Sequence, residues 1–178
     1  MHVVENELFV PDNYERIILD NGNEPIVAFQ LHHRDSPNEF VYYEKVEIGR
    51  CSYWMLNIKN LHVDEHFRIC KVVDTQNSVS FTFTECQTIL AFIVENSFVN
   101  DNYMTRKIVS RKNGVEKIFA VNRQHSVFDY VTRKSISLLI VDENRISSKC
   151  FYEDDFIGLE HVMNFCCQHL VHYRQHEV

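Results

Sequence analysis

Four glycines and three prolines in 178 residues leave this chain nearly without the residues that loosen or interrupt regular structure. So little glycine excludes a glycine-rich phosphate cradle, and neither a P-loop, a G-x-G-x-x-G nor a G-x-S-x-G occurs. No Cys–His spacing supports nucleophilic catalysis either, so the chain reads as non-enzymatic, with no catalytic residue and no cofactor. No apolar run approaches the roughly 18 residues of a membrane helix. The opening MHVVENELFV lacks the basic start and apolar stretch of a secretion signal, so an intracellular location, nuclear or cytoplasmic, is expected. C-x-x-C is absent too. Cys51, Cys70 and Cys86 are isolated, Cys150 ends a strand pattern, and Cys166 and Cys167 are adjacent, which reads as a set of reduced thiols.

What is present is a core. Hydrophobic residues make up 45% and aromatics 12%, enough for one sizeable core or for two small repeats sharing one. Charge is unevenly placed. The formal net charge is −7, yet from Tyr103 to Lys134 eight bases face two acids, a net +6 that leaves −13 on the other 146 residues.

Three segments follow from the pattern. In 1–39, the apolar-rich runs Tyr14–Leu19 and Ile26–Leu31 flank DNGNEP, which predicts a hairpin, and HHRDSP then reads as a loop. In 40–102, Phe40–Ile48 and Cys51–Ile58 flank the two-residue turn Gly49-Arg50, with Trp54, Leu56 and Ile58 on the core side. Phe67–Val73 and Ser78–Phe83 follow across DTQN. Thr84 to Gln87 has the T-x-x-Q form of a capping box, opening a helix with Ile89, Leu90, Phe92, Ile93 and Phe98 as its apolar positions. In 103–178, Met104–Arg111 and Val115–Val121 flank Asn113-Gly114, a strong type I′ hairpin signal. A strand at Val127–Thr132 or Ser135–Val141, another at Ile146–Phe151, and a helix over 154–172 complete the series.

The two later segments resemble each other. VVDTQNSVSFTFTE, Val72–Glu85, aligns at an offset of 68 with IVDENRISSKCFYE, Ile140–Glu153, with five identities, where about one is expected by chance. Each is read as the last hairpin of a ββββα unit. The expected fold is α+β: an N-terminal hairpin extension, then two ββββα repeats built on antiparallel sheets and packed together.

A ββββα unit in tandem resembles the PC4, PUR and Whirly group of single-stranded nucleic-acid-binding folds. Residues 78–93, SVSFTFTECQTILAFI, carry the likeness, because that group sets a final alternating strand directly before its helix. The resemblance implies a non-catalytic binder of single-stranded DNA or RNA, presenting aromatic and basic groups on a curved sheet. The residues placed to do so are Tyr53, Arg106, Lys107, Arg111, Lys112, Lys117, Phe119 and Arg123.

Hairpin arithmetic refines this. A two-residue turn at Asn113-Gly114 pairs Ser110 with Lys117, Ile108 with Phe119 and Arg106 with Val121. One face would then hold Arg106, Ile108, Lys117 and Phe119, and the other Lys107, Val109, Arg111, Ile118 and Ala120, splitting the bases. The alternative function is a protein-interaction or assembly subunit whose acidic and basic parts meet a protein partner or a second copy.

Two histidine groups bear on metal binding. On the C-terminal helix Cys166 falls in the middle of the apolar face, while His161, His169, His172 and His176 form an adjoining stripe about 80° wide. The two sets do not converge as tetrahedral zinc requires, so no metal is expected. The stripe could instead make an assembly sensitive to pH near 6.5. HVDEH, His62–His66, lacks metalloprotease spacing and reads as a polar connection.

Overall fold

The computed structural model describes residues 14–33, 36–96, 103–125, 132–152, 160–161 and 163–164. Among these the fold is α+β, with two antiparallel sheets and one long helix. The first sheet contains β1 (Tyr14–Asp20), β2 (Pro25–His33), β3 (Ser36–Ile48), β4 (Cys51–Val63), β5 (Ile69–Val73) and β6 (Val79–Thr82). Helix α1 (Phe83–Asn96) follows, and the second sheet is the meander β7 (Tyr103–Lys112), β8 (Val115–His125), β9 (Thr132–Asp142) and β10 (Arg145–Tyr152). No helix of the described residues is long and apolar enough to cross a membrane.

The N-terminal hairpin forms where expected, around Asn21–Glu24, and β2 pairs along β3 and extends the sheet. Within HHRDSP, His32 and His33 end β2 and Ser36 and Pro37 begin β3, with His33 paired to Ser36; residues 34–35 lie outside the described residues. β4 is 13 residues long, and this length decides the next connection. DTQN does not turn the chain back. β5 and β6 never pair with each other; both run antiparallel to β4, β5 along Asn60–Val63 and β6 along Met55–Ile58. Between them Asp74, with φ 55°, leads into a 3-10 turn at Thr75–Asn77, a detour within one edge of the sheet. The similar stretch at Ile140–Glu153 does contain a true hairpin, with Asp142 opposite Arg145.

Two cores result. One face of the first sheet packs on α1 and on the second sheet, burying Val41, Leu56, Ile58, Phe81, Ile89, Phe119, Leu138 and Met163 together. On its other face the sheet curls until Asp20 at the end of β1 bridges Arg68 just before β5, enclosing Ile17, Leu19, Ile26, Ala28, Phe40, Tyr42 and Leu61. Burial, helped by the charge of Glu44, pushes the Tyr42 phenol well above its ordinary range.

The helix start lies two residues earlier than the T-x-x-Q pattern predicts. Thr82 is the cap: the Glu85 N–H donates to its Oγ1 at 3.3 Å, and its own N–H donates to Glu85 Oε1 at 2.8 Å. Thr84 sits exposed inside the first turn, accepting at its carbonyl from the Thr88 hydroxyl. T-x-x-E wins over T-x-x-Q because Glu85 is buried, held by Lys117 and Ser110 where it reaches back to the Thr82 N–H, whereas Thr84 and Gln87 are both exposed. β9 occupies the Ser135–Val141 position; residues 126–131 and Phe98 lie outside the described residues. So does most of the predicted 154–172 helix, of which 160–161 and 163–164 are helical, with Met163 fully buried.

Candidate nucleic-acid interface

The sequence register of β7 and β8 holds for three pairs from the turn, Lys112–Val115, Arg111–Glu116 and Ser110–Lys117, and then shifts. A β-bulge at Val109 places Ile108 opposite Ile118, Lys107 opposite Phe119 and Arg106 opposite Ala120. The expected faces are therefore wrong for β7 beyond the bulge. Arg106 and Ile108 join Arg111, Ile118 and Ala120 on the outward face, while Lys107 joins Lys117 and Phe119 on the inward one.

The inward residues are structural. Phe119 is fully buried, with its ring 5.7 Å from that of Phe92, so it offers no stacking surface to a base. Lys117 donates to Glu85 Oε1 at 2.7 Å and to the Ser80 carbonyl at 2.8 Å, and its ammonium lies 5.4 Å from the Phe81 ring centroid. Glu85 is held further by the Ser110 hydroxyl, which donates to its other oxygen. Burial by itself would raise the Glu85 pKa, but the Lys117 charge and the hydrogen bonds from Lys117, Ser110 and Thr82 hold it below the usual carboxylate value. Lys107 pairs with Glu95 on α1 and lies over the Phe92 ring. A second buried pair repeats the device: Lys149 on β10 meets Glu39 Oε1 at 2.8 Å and Asn60 Oδ1 at 3.0 Å, and Glu39 and Asn60 are themselves opposite each other on β3 and β4. Neither Lys149 nor Glu39 stands out in the sequence. The available signal was position, since Lys117 alternates with Phe119 and Val121, and Lys149 with Phe151.

The outward face carries what remains. Arg106 and Arg111 are exposed there, Arg111 in an ion pair with Glu116, beside exposed Met104 and Ile108. Lys112 is exposed at the hairpin end. Next to Arg106 lies a shallow hollow of about 310 Å³ over Ala120, Asn122, Ser135 and Ser137, walled by Met104 and Leu139. Tyr53 lies on β4 opposite Val46, and Arg123 on β8 between Tyr103 and Lys134; their side chains lie outside the described residues. The structure thus puts Arg106 and Arg111 on one face and Lys107, Lys117 and Phe119 on the other.

A larger cleft of about 590 Å³ opens elsewhere, among the β1–β2 turn, β3 and β4. Tyr43 and Trp54, in edge-to-face contact at 5.6 Å, line it with Glu24, Glu44 and Glu47, and Lys45 is its basic member. Of HVDEH, His62 and Val63 end β4, with Val63 packed on the second core, and the polar connection is only Asp64–His66. Asp64 Oδ1 accepts the N–H groups of His66 and Arg68 at 2.8 and 2.9 Å and its Oδ2 meets Arg68 Nε at 2.8 Å; the Arg68 backbone bond, with these others, lowers its pKa. Among the described residues no group of three or more His, Cys, Asp and Glu is placed to hold a metal ion. His161 is exposed on its helical segment, and His169, His172 and His176 lie outside the described residues.

No protein-family model matches the chain, and no curated protein matches it. Among solved structures, the crystal structure of WHY3 from Arabidopsis thaliana is similar at 12% sequence identity, covering 93% of each chain with a TM-score of 0.35.

Proposed function

We propose that the chain is a non-enzymatic protein that binds unpaired DNA or RNA across the outward face of β7–β10. One observation carries this: the Val109 bulge puts Arg106 and Arg111, with Met104 and Ile108, exposed on the same face of an antiparallel sheet. Guanidinium groups pair with phosphates and stack on bases, and exposed apolar side chains offer contact to base faces. The proposed setting is intracellular, nuclear or cytoplasmic, where exposed thiols such as those of Cys51, Cys70 and Cys150 stay reduced.

The test is fluorescence anisotropy of a labelled single strand and of the matching duplex at low and near-physiological salt. The expected result is preference for the single strand, weakening with salt, and a salt slope reduced by about 1 for each of Arg106→Ala and Arg111→Ala. Arg50→Ala, in the β3–β4 turn, should leave the slope unchanged. Absence of binding at low salt overturns the reading.

A second reading, a protein-interaction subunit, is favoured by the acidic cleft at Tyr43 and Trp54, which is complementary to a partner presenting Lys or Arg. Trp54 is the chain's single tryptophan, so a basic peptide entering the cleft should change its fluorescence, less so in Glu44→Gln/Glu47→Gln. An unchanged spectrum at saturating peptide removes this reading.

A further inference from the structure

The hollow beside Arg106 has a cause in the sequence. On the outward face the cross-strand rows are Met104–Asn122–Ser135 and Arg106–Ala120–Ser137, with Leu139 in the next row on β9. Small side chains at Ala120, Ser135 and Ser137 sit between the taller Met104, Arg106 and Leu139, so the sheet surface is indented there by about 310 Å³. That is near the lower end of small-ligand sites, roughly 300–1,000 Å³, and has room for one flat ring system rather than a stack.

Asn122 stands at the edge of this indentation. Its backbone carbonyl accepts the Ser135 hydroxyl at 3.4 Å, but its side-chain Oδ1 is buried and accepts no hydrogen bond. A buried acceptor without a donor is a standing cost, and a turn of the side chain that brings Oδ1 out into the hollow would relieve it on a ligand's N–H.

Resting on the nucleic-acid reading, we propose that this hollow is a subsite for one unstacked nucleobase, with the Asn122 side chain turning its Oδ1 outward to accept an N–H from the base's Watson–Crick edge and Arg106 meeting the adjacent phosphate. Met104 and Leu139 supply the apolar contact, the thioether being well suited to the edge of an aromatic ring. Every unpaired base carries an N–H on that edge, whereas pairing in a duplex engages it, so the subsite selects unpaired strands without fixing their sequence.

The experiment compares a labelled oligodeoxycytidine with a strand of the same length whose bases are replaced by abasic sites, at low salt. Wild-type protein is expected to bind the base-bearing strand roughly tenfold more tightly. Asn122→Leu should remove most of that difference by weakening only the base-bearing strand. Ser137→Phe, which fills the hollow and leaves Oδ1 in place, should do the same. Equal affinity of wild-type protein for the two strands, or a difference that survives both variants, overturns the subsite while leaving the nucleic-acid reading standing. If neither strand binds wild-type protein, both fail together.

Discussion

Lys117 Nζ lies 2.7 Å from Glu85 Oε1, tying the middle of β8 to the first turn of α1 with both side chains nearly buried. A buried pair of this kind is worth little against a well-packed apolar replacement, but breaking one side strands a charge. Lys117→Met is therefore expected to destabilise the protein by about 3–5 kcal/mol. Lys117→Met/Glu85→Gln should recover much of the loss, because the glutamine stays neutral and keeps the capping geometry. Urea unfolding of the two single variants and the double measures the coupling. Purely additive effects would show that the pair does not act as a unit.

The same carboxylate predicts an acid limit. Its folded pKa lies below its unfolded one, so its contribution is fully present above the unfolded value near 4.3 and is lost as pH falls through the folded value. Wild-type protein should exceed Glu85→Gln in urea midpoint at pH 7, with the gap closing below about pH 4. A gap that widens on acidification would reverse the sign assigned here.

Where α1 begins is open to a direct comparison. Thr82→Ala removes the oxygen that caps Glu85 N–H and should cost about 1 kcal/mol. Thr84→Ala, at an exposed helical position, should stay within about 0.5 kcal/mol of wild type. The reverse order, read by thermal unfolding, would return the cap to Thr84.

The period-2 pattern, the turns at Gly49-Arg50 and Asn113-Gly114, and the inward side of α1 at Ile89 and Ile93 were all legible, because each rests on local chemistry. The site was legible only as a neighbourhood. An extra residue at Val109 leaves no mark in MTRKIVSRKNG, where the bases come as the adjacent pairs Arg106-Lys107 and Arg111-Lys112 and so put one on each face in either register, yet it decides which face Arg106 takes. Lys117 finds Glu85 across 32 residues of chain and Lys149 finds Asn60 across 89, separations at which no local pattern informs. DTQN has the composition of a hairpin turn. What stopped it from being one was the spare length of β4, which could pair with the strands on both sides of it.

Two hairpin turns of the second sheet, β7–β8 and β9–β10, differ in how well their residues suit the backbone they adopt. Asn113 and Gly114 have φ of 55° and 80°, the left-handed pair that a type I′ turn requires, and these residue types tolerate it. No atom lies within 4 Å of a Cβ built on Gly114, so Gly114→Ala would meet no clash and its cost is conformational, about 1–2 kcal/mol. The β9–β10 turn demands φ of 51° from Glu143, a residue that does not favour it. Glu143→Gly should relieve that strain, although glycine's greater freedom in the unfolded chain offsets part of the gain, leaving about 0.5–1 kcal/mol of added stability. Chemical unfolding of both variants checks the pair of signs. Destabilisation by Glu143→Gly as large as that from Gly114→Ala would mean that the glutamate side chain, rather than the backbone, holds the second turn.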